Sequence, residues 1–312
     1  MASISQIKRK RSFNYKIRVF KREFPLHIML IPSLFFIIVY HYLPIFGIVM
    51  AFQKFNPISS FWKSPFIGLK NFIDILNMKD FWRAFRNSFQ IAFLKIFFGI
   101  SVPLLLSLLI NEITSSKFKR TVQTSIFLPY FLSWTVLGGV VQQIFALDGP
   151  INAIIKNFGG EAIIFLSNQA WFRSILIISD TWKGMGYNII IFLAAITSID
   201  PGLYESAQMD GCSRPRQAWH ITIPGMLPII ILISTLAIGG LLDAGFEQIF
   251  ILYSPSVYES SDIIDTMVYR LGLINNRLAP AAAVGLFKSV LSLVLVGTAY
   301  YSAYKFSDYR IF

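Results

Sequence analysis

Residues 175–199 read ILIISDTWKGMGYNIIIFLAAITSI, and Asp180 and Lys183 are the only charged side chains in that run. A bilayer core of about 30 Å is crossed by about 20 helical residues. The stretch is therefore long enough to span a membrane and too apolar for a core helix of a soluble domain. Five more of the same kind run from about Ile28 to Ala51, Phe89 to Ile110, Val122 to Leu147, Met226 to Ile251 and Ala281 to Tyr304. Asp243 and Glu247 interrupt the one that begins at Met226, so its end is the least defined. The run from Ile28 follows a basic segment, as a signal peptide would, but it exceeds the apolar core of about 7–15 residues such a peptide carries. No A-x-A site follows it either, so it reads as an uncleaved first span.

Composition agrees. Hydrophobic residues make up 55% of the 312 and charged residues 14%, with a mean hydropathy of +0.60; soluble domains run at about 45–50% apolar and about 25% charged. The net charge of +12 does not indicate nucleic acid, because the basic residues cluster before the first apolar run and between the later ones. That distribution orients a membrane protein. Lys8, Arg9, Lys10, Arg11, Lys16, Arg18, Lys21 and Arg22 precede the first span; Lys117, Lys119 and Arg120 join the second and third; Arg214 and Arg216 join the fourth and fifth; Lys305 and Arg310 close the chain. The opposite loops are poorer in basic residues near the span ends, which puts both termini in the cytoplasm. The expected fold is all-α with six transmembrane helices: a basic cytoplasmic segment over 1–27, a membrane domain over 28–304 and a short tail over 305–312. The single cysteine, Cys212, excludes an internal disulfide or a multi-cysteine metal site.

Working outward from residue 199, the next segment, 200–224, is a cytoplasmic loop reading DPGLYESAQMDGCSRPRQAWHITIP. Asp200 is a helix N-cap followed by Pro201 at the first helical position. A short helix is expected to reach Asp210, where Gly211 ends it. A second is expected to begin near Ser213, with Pro215 in its first turn. Tyr204, Ala207 and Met209 offer apolar contacts and Glu205 a charged one.

This loop resembles the EAA loop of binding-protein-dependent ABC importers, which runs Glu-Ala-Ala, three residues, Gly, nine residues, Ile-x-Leu-Pro. Here the match is Glu205-Ser206-Ala207, three residues to Gly211, then nine to Ile221-Thr222-Ile223-Pro224. Ser206 and Ile223 depart from the pattern, both conservatively in size. The resemblance implies a type I importer (MetI-like) permease fold in the bacterial cytoplasmic membrane. It also implies ATPase-coupling roles for Glu205, Ser206, Ala207, Asp210, Gly211, Ile221 and Pro224, with Glu205 pairing with a basic ATPase residue and Gly211 making the turn. Tyr42 to Gly47, Ser64 to Phe72, Leu128 to Trp134, Gly245 to Gln248, Thr266 to Arg270 and Ala283 to Phe287 extend the likeness to the LplB-like branch of sugar permeases. That branch implies an oligosaccharide or polysaccharide fragment as substrate. The implied partners are a second homologous permease, two ATP-binding subunits, a surface sugar-binding lipoprotein and membrane lipid.

No GxxxxGK[ST] phosphate loop occurs, so ATP and Mg belong on the partner ATPase and no cofactor is expected on this chain. His27, His41 and His220 are scattered and no HExxH is present, so neither a metal site nor a catalytic residue is expected. Ionisable residues inside spans carry function by default. Lys95 and Lys288 either snorkel or pair across the bundle. Asp180, Trp182, Lys183, Tyr187 and Asn188 supply the polar groups and aromatic faces a sugar path needs, as do Trp134, Gln142 and Gln143. The alternative for the first set, and the favoured one, is a helix-pairing ion pair between Asp180 and Lys183 with interface aromatics, and Trp134, Gln142 and Gln143 carry the same ambiguity. Rival readings are an ion-gradient-driven transporter, for which Asp180 is the serious candidate residue, an importer of a non-sugar solute, and an intramembrane enzyme.

Overall fold

The computed structural model describes residues 13–56 and 61–307; Lys8, Arg9, Lys10, Arg11 and Arg310 lie outside the described residues. The chain divides into two units, 1–50 and 51–312. In the first, α1 (Phe13–Ile37) runs into a π turn (Ile38–Tyr42) and then a 3-10 run (Leu43–Phe52). Proline clashes with the carbonyl four residues before it. The π turn sits where Pro44 would otherwise collide, widening the helix without ending it. From Leu26 to Phe46 most of its side chains are exposed and apolar, with Met29 at 75% and Phe46 at 74%, as a lipid-facing helix requires.

The second unit contains α2 (Lys70–Leu76), α3 (Lys79–Asn111), α4 (Ser116–Phe127), α5 (Trp134–Ile144), α6 (Pro150–Asn157) and α7 (Gln169–Thr197). It continues through α8 (Pro201–Met209), α9 (Arg214–Gln217), α10 (Ile223–Gly239), α11 (Phe246–Leu252), α12 (Tyr258–Ser261), α13 (Ile264–Tyr269) and α14 (Leu278–Ser307). Among the described residues four helical runs are long and apolar enough to cross a membrane, or six if each of two bent pairs counts as one span. Helices α3 and α7 pack along each other, and Ile91, Ala92, Phe172, Ile175 and Leu176 form a buried core with Ile249 and Leu252 of α11.

Two expected spans are not single helices. The third, expected from Val122 to Leu147, is bent by 109° between 116–131 and 134–144. Its middle, Leu128–Phe131, tightens to a 3-10 turn with Pro129 in it, and the Ser133 hydroxyl then caps α5 by accepting from the Val136 N–H at 3.3 Å. The fifth, expected from Met226 to Ile251, breaks after Gly239. Helix α11 restarts only beyond Gly245, which sits at φ +86° where a side chain would be strained. The membrane-length helix is instead Arg214–Gly239, 26 residues that begin inside the 200–224 loop. A π turn at Ala218–Thr222 precedes Pro224, as one precedes Pro44.

At the end of the bundle away from the 200–224 loop, a polar cluster pins segment 253–277 to α3. The fully buried Asp262 carboxylate accepts from Arg270 at 2.9 and 2.6 Å and from Thr266 at 2.9 Å. Asn87 of α3 donates to the carbonyls of Glu259 and Asp262, both at 3.1 Å, and Arg83 pairs with Glu259 at 3.1 Å. The hydrogen bonds to Asp262, with its negative charge, hold the Arg270 guanidinium above its ordinary pKa. The neighbouring Lys288 pairs with Asp265 at 2.6 Å, so of the two readings for Lys288 the structure takes pairing.

Candidate functional site

The 200–224 loop is a closed local motif. Asp200 caps α8 by accepting from the Gly202 N–H at 2.9 Å, and the Ser206 hydroxyl donates to the Gly202 carbonyl at 2.8 Å. At the other end Gly211 lies at φ +73°. The Cys212 N–H reaches back to the Ala207 carbonyl at 2.9 Å and the Gly211 N–H to Gln208 at 3.0 Å. This is the Schellman arrangement, in which a left-handed residue turns the chain and satisfies the last carbonyls of the helix. Gln217 then donates to the Cys212 carbonyl at 2.9 Å, and the Tyr204 hydroxyl meets Thr222 at 2.9 Å, tying the two helices together.

The motif leaves an exposed outer surface of mixed polarity. Glu205, Asp210 and Pro224 are exposed, Met209 is 89% exposed, and Ala207 and Ile221 are half-buried. Glu205 forms no ion pair among the described residues. One ion pair the sequence reading did not foresee, Arg214 to Glu112 at 2.5 Å, joins the start of α9 to the end of α3. Gly211→Ala should cost about 1–2 kcal/mol through the left-handed backbone. Loop cleavage by protease should rise while the spans stay intact; unchanged cleavage would mean the turn tolerates a Cβ.

A cavity of about 460 Å³ opens between α3, α7 and the break after α10. Lys95 lines it. Its ammonium donates to the Ala244 carbonyl at 2.8 Å and to Gln248 Oε1, and pairs with Asp180 at 3.2 Å. The break in the fifth span thereby gains a partner for a carbonyl that no helix satisfies, the condition under which irregular backbone is tolerated at membrane depth. Gln248 in turn donates to the Leu176 carbonyl and the Ser179 hydroxyl, both at 2.8 Å. A Cβ on Gly245 would lie 2.7 Å from the Lys95 ammonium, so glycine is needed there twice over.

The expected path residues separate. Asp180, Tyr187 and Asn188 line this cavity, Tyr187 half-exposed and Asn188 donating to the Gly99 carbonyl at 2.9 Å. Trp182 lines a different, apolar groove with Phe98, Val102 and Met185. The Asp180–Lys183 ion pair does not form: Asp180 pairs with Lys95, and Lys183 donates to the carbonyls of Tyr130 and Leu132 at 3.2 and 2.5 Å, at the bend between α4 and α5. There its ammonium lies 5.8 Å above the ring of Trp134, which is almost wholly buried and not in the cavity. Gln142 donates to the Ile251 carbonyl at 3.1 Å, and Gln143 is exposed; neither lines the cavity. Asp243, read in the sequence only as an interruption, does line it.

Comparison with known proteins places this geometry. Residues 24–307 match the family model described as binding-protein-dependent transport system inner membrane component. The protein LplB of Bacillus subtilis (strain 168) is 39% identical over 94% of this chain and 92% of its own length. The polygalacturonan/rhamnogalacturonan transport system permease protein YteP of the same strain is 38% identical over 98% and 94%. A chain in the crystal structure of a bacterial alginate ABC transporter, in complex with an alginate pentasaccharide-bound periplasmic protein, superposes with a TM-score of 0.85 at 35% identity, covering 94% of this chain and 99% of that one. A chain with this loop, these spans and these likenesses belongs to the family of binding-protein-dependent transport system inner membrane components.

Proposed function

We propose that this chain is the permease subunit of an ATP-driven importer in the bacterial cytoplasmic membrane, carrying an oligosaccharide or polysaccharide fragment inward. The observation that carries the proposal is the 200–224 loop. It is a rigid, exposed helix pair bearing the Glu-x-Ala and Gly pattern of a coupling element, and its second helix continues without a break into a span.

In this reading both termini and the loop face the cytoplasm. Glu205 meets a basic residue of one of two ATP-binding subunits, which hold ATP and Mg. A second, homologous permease completes the path, and an extracellular sugar-binding lipoprotein delivers the substrate. Closure of the ATPase pair displaces the loop, and the spans rock to open the cavity outward; hydrolysis resets the inward-facing state. The chain itself supplies no bond-breaking chemistry. Its leverage is the set of contacts that differ between the two states. Names of relatives support the sugar class, since YteP and the alginate importer are both named for polysaccharides.

Affinity purification of the tagged chain in mild detergent, followed by mass spectrometry, tests the assembly. Recovery of a second permease, an ATPase and a binding lipoprotein is expected. Recovery of the chain alone, still transporting after reconstitution without ATP, would make it an ion-driven transporter.

A further inference from the structure

The cavity wall supplied by this chain has an unbalanced set of charges. An ammonium group has three donors. Those of Lys95 are committed to the Ala244 carbonyl, Gln248 Oε1 and Asp180, and the side chain is 92% buried by its 8% exposure. The charged groups left facing the cavity are carboxylates: Asp180, whose side chain is 33% exposed, and Asp243, which is exposed. One Asn188 amide N–H is spent on Gly99, leaving its second N–H and its carbonyl oxygen. Among the described residues no other Lys or Arg lines the cavity, because Lys183 is held at the α4–α5 bend.

Resting on the importer reading, we infer that this wall takes a neutral, hydroxyl-rich saccharide and rejects a uronate. Sugar hydroxyls donate to the free carboxylate oxygens, and the half-exposed Tyr187 ring offers a face for the apolar plane of a pyranose. A uronate carboxylate finds Asp243, which has no ion pair among the described residues, an Asp180 already balanced by Lys95, and no uncommitted cation. In a site partly withdrawn from water, charges of like sign about 4–6 Å apart repel strongly enough to change binding at least tenfold. The substrate class therefore differs from the polyanions for which the alginate importer and YteP are named.

The test uses the assembled permease–ATPase complex in lipid nanodiscs without the binding protein, so that the latter's selectivity does not enter. Saturation-transfer NMR compares length-matched probes: neutral oligosaccharides from arabinan, galactan and xylan, and oligogalacturonate. At least one neutral probe should give a signal about tenfold above oligogalacturonate. Asp243→Asn, which leaves the Ala244, Gln248 and Asp180 partners of Lys95 in place, should raise the oligogalacturonate signal severalfold and so narrow the ratio of neutral to uronate signal. Equal signals from both classes in the native complex, an unchanged ratio in Asp243→Asn, or no signal from any saccharide would each overturn the inference. The importer reading is measured apart from this, as ATP-driven saccharide uptake by the complete system. Uptake of uronates at parity would remove only the neutral-substrate inference, whereas absence of any ATP-driven saccharide uptake would remove the importer reading as well.

Discussion

Glu205→Lys should abolish ATP-driven uptake while leaving the protein in the membrane at its normal level. Glu205 is exposed on α8 and forms no ion pair with the described residues, so folding loses little, within about 0.5 kcal/mol for a surface change of this kind. Docked against a basic ATPase residue, as proposed, the same position would be desolvated. Removing one partner of a buried pair costs about 3–5 kcal/mol, and reversing its charge adds repulsion, so docking should weaken by two to three powers of ten or more. Uptake and ATPase co-purification should fall together. Normal uptake by this variant would sink the coupling role of the loop.

Lys95→Met should be the most destabilising single change in the membrane domain. Methionine fills much of the same length but leaves Asp180, Gln248 Oε1 and the Ala244 carbonyl without their donor. Breaking a buried pair from one side costs about 3–5 kcal/mol. The double variant Lys95→Met with Asp180→Leu removes both charges and should recover part of that loss. Thermal unfolding of the detergent-solubilised complex reads both. A melting temperature unchanged by Lys95→Met would show that the network is incidental to stability.

How far the sequence alone reached can be traced residue by residue. Helices α3, α7 and α14 were legible from the length of their apolar runs, α3 despite Pro103 inside it. The bend before α5 was hidden by its hydrophobicity, although Pro129 and the capping Ser133 marked it. The break in the fifth span was signalled by Gly239, Gly240 and Gly245 together with Asp243, yet the apolar average across it concealed the gap. In the site, Asp180 stood out as a charge inside a span, but its partner lies 85 positions earlier in the chain, beyond the reach of local spacing. The placement of Trp182 was recoverable: at about 100° per residue, Asp180, Gly184, Tyr187, Asn188 and Ile191 share a face and Trp182 falls on the opposite side. Local chemistry sufficed for the Asp200 cap and the Gly211 turn, because both are made by residues within a few positions of each other.

The continuity of α9, the π turn and α10 has a mechanical consequence. From Arg214 to Gly239 the chain is one rod of 26 residues, about 39 Å long. One tip stands in the loop that would meet the ATPase, and the other ends at the break carrying Asp243. A tilt applied at the cytoplasmic tip is thus delivered at the cavity by leverage through a single stiff arm, and the π turn beneath Pro224 is where that arm would yield first.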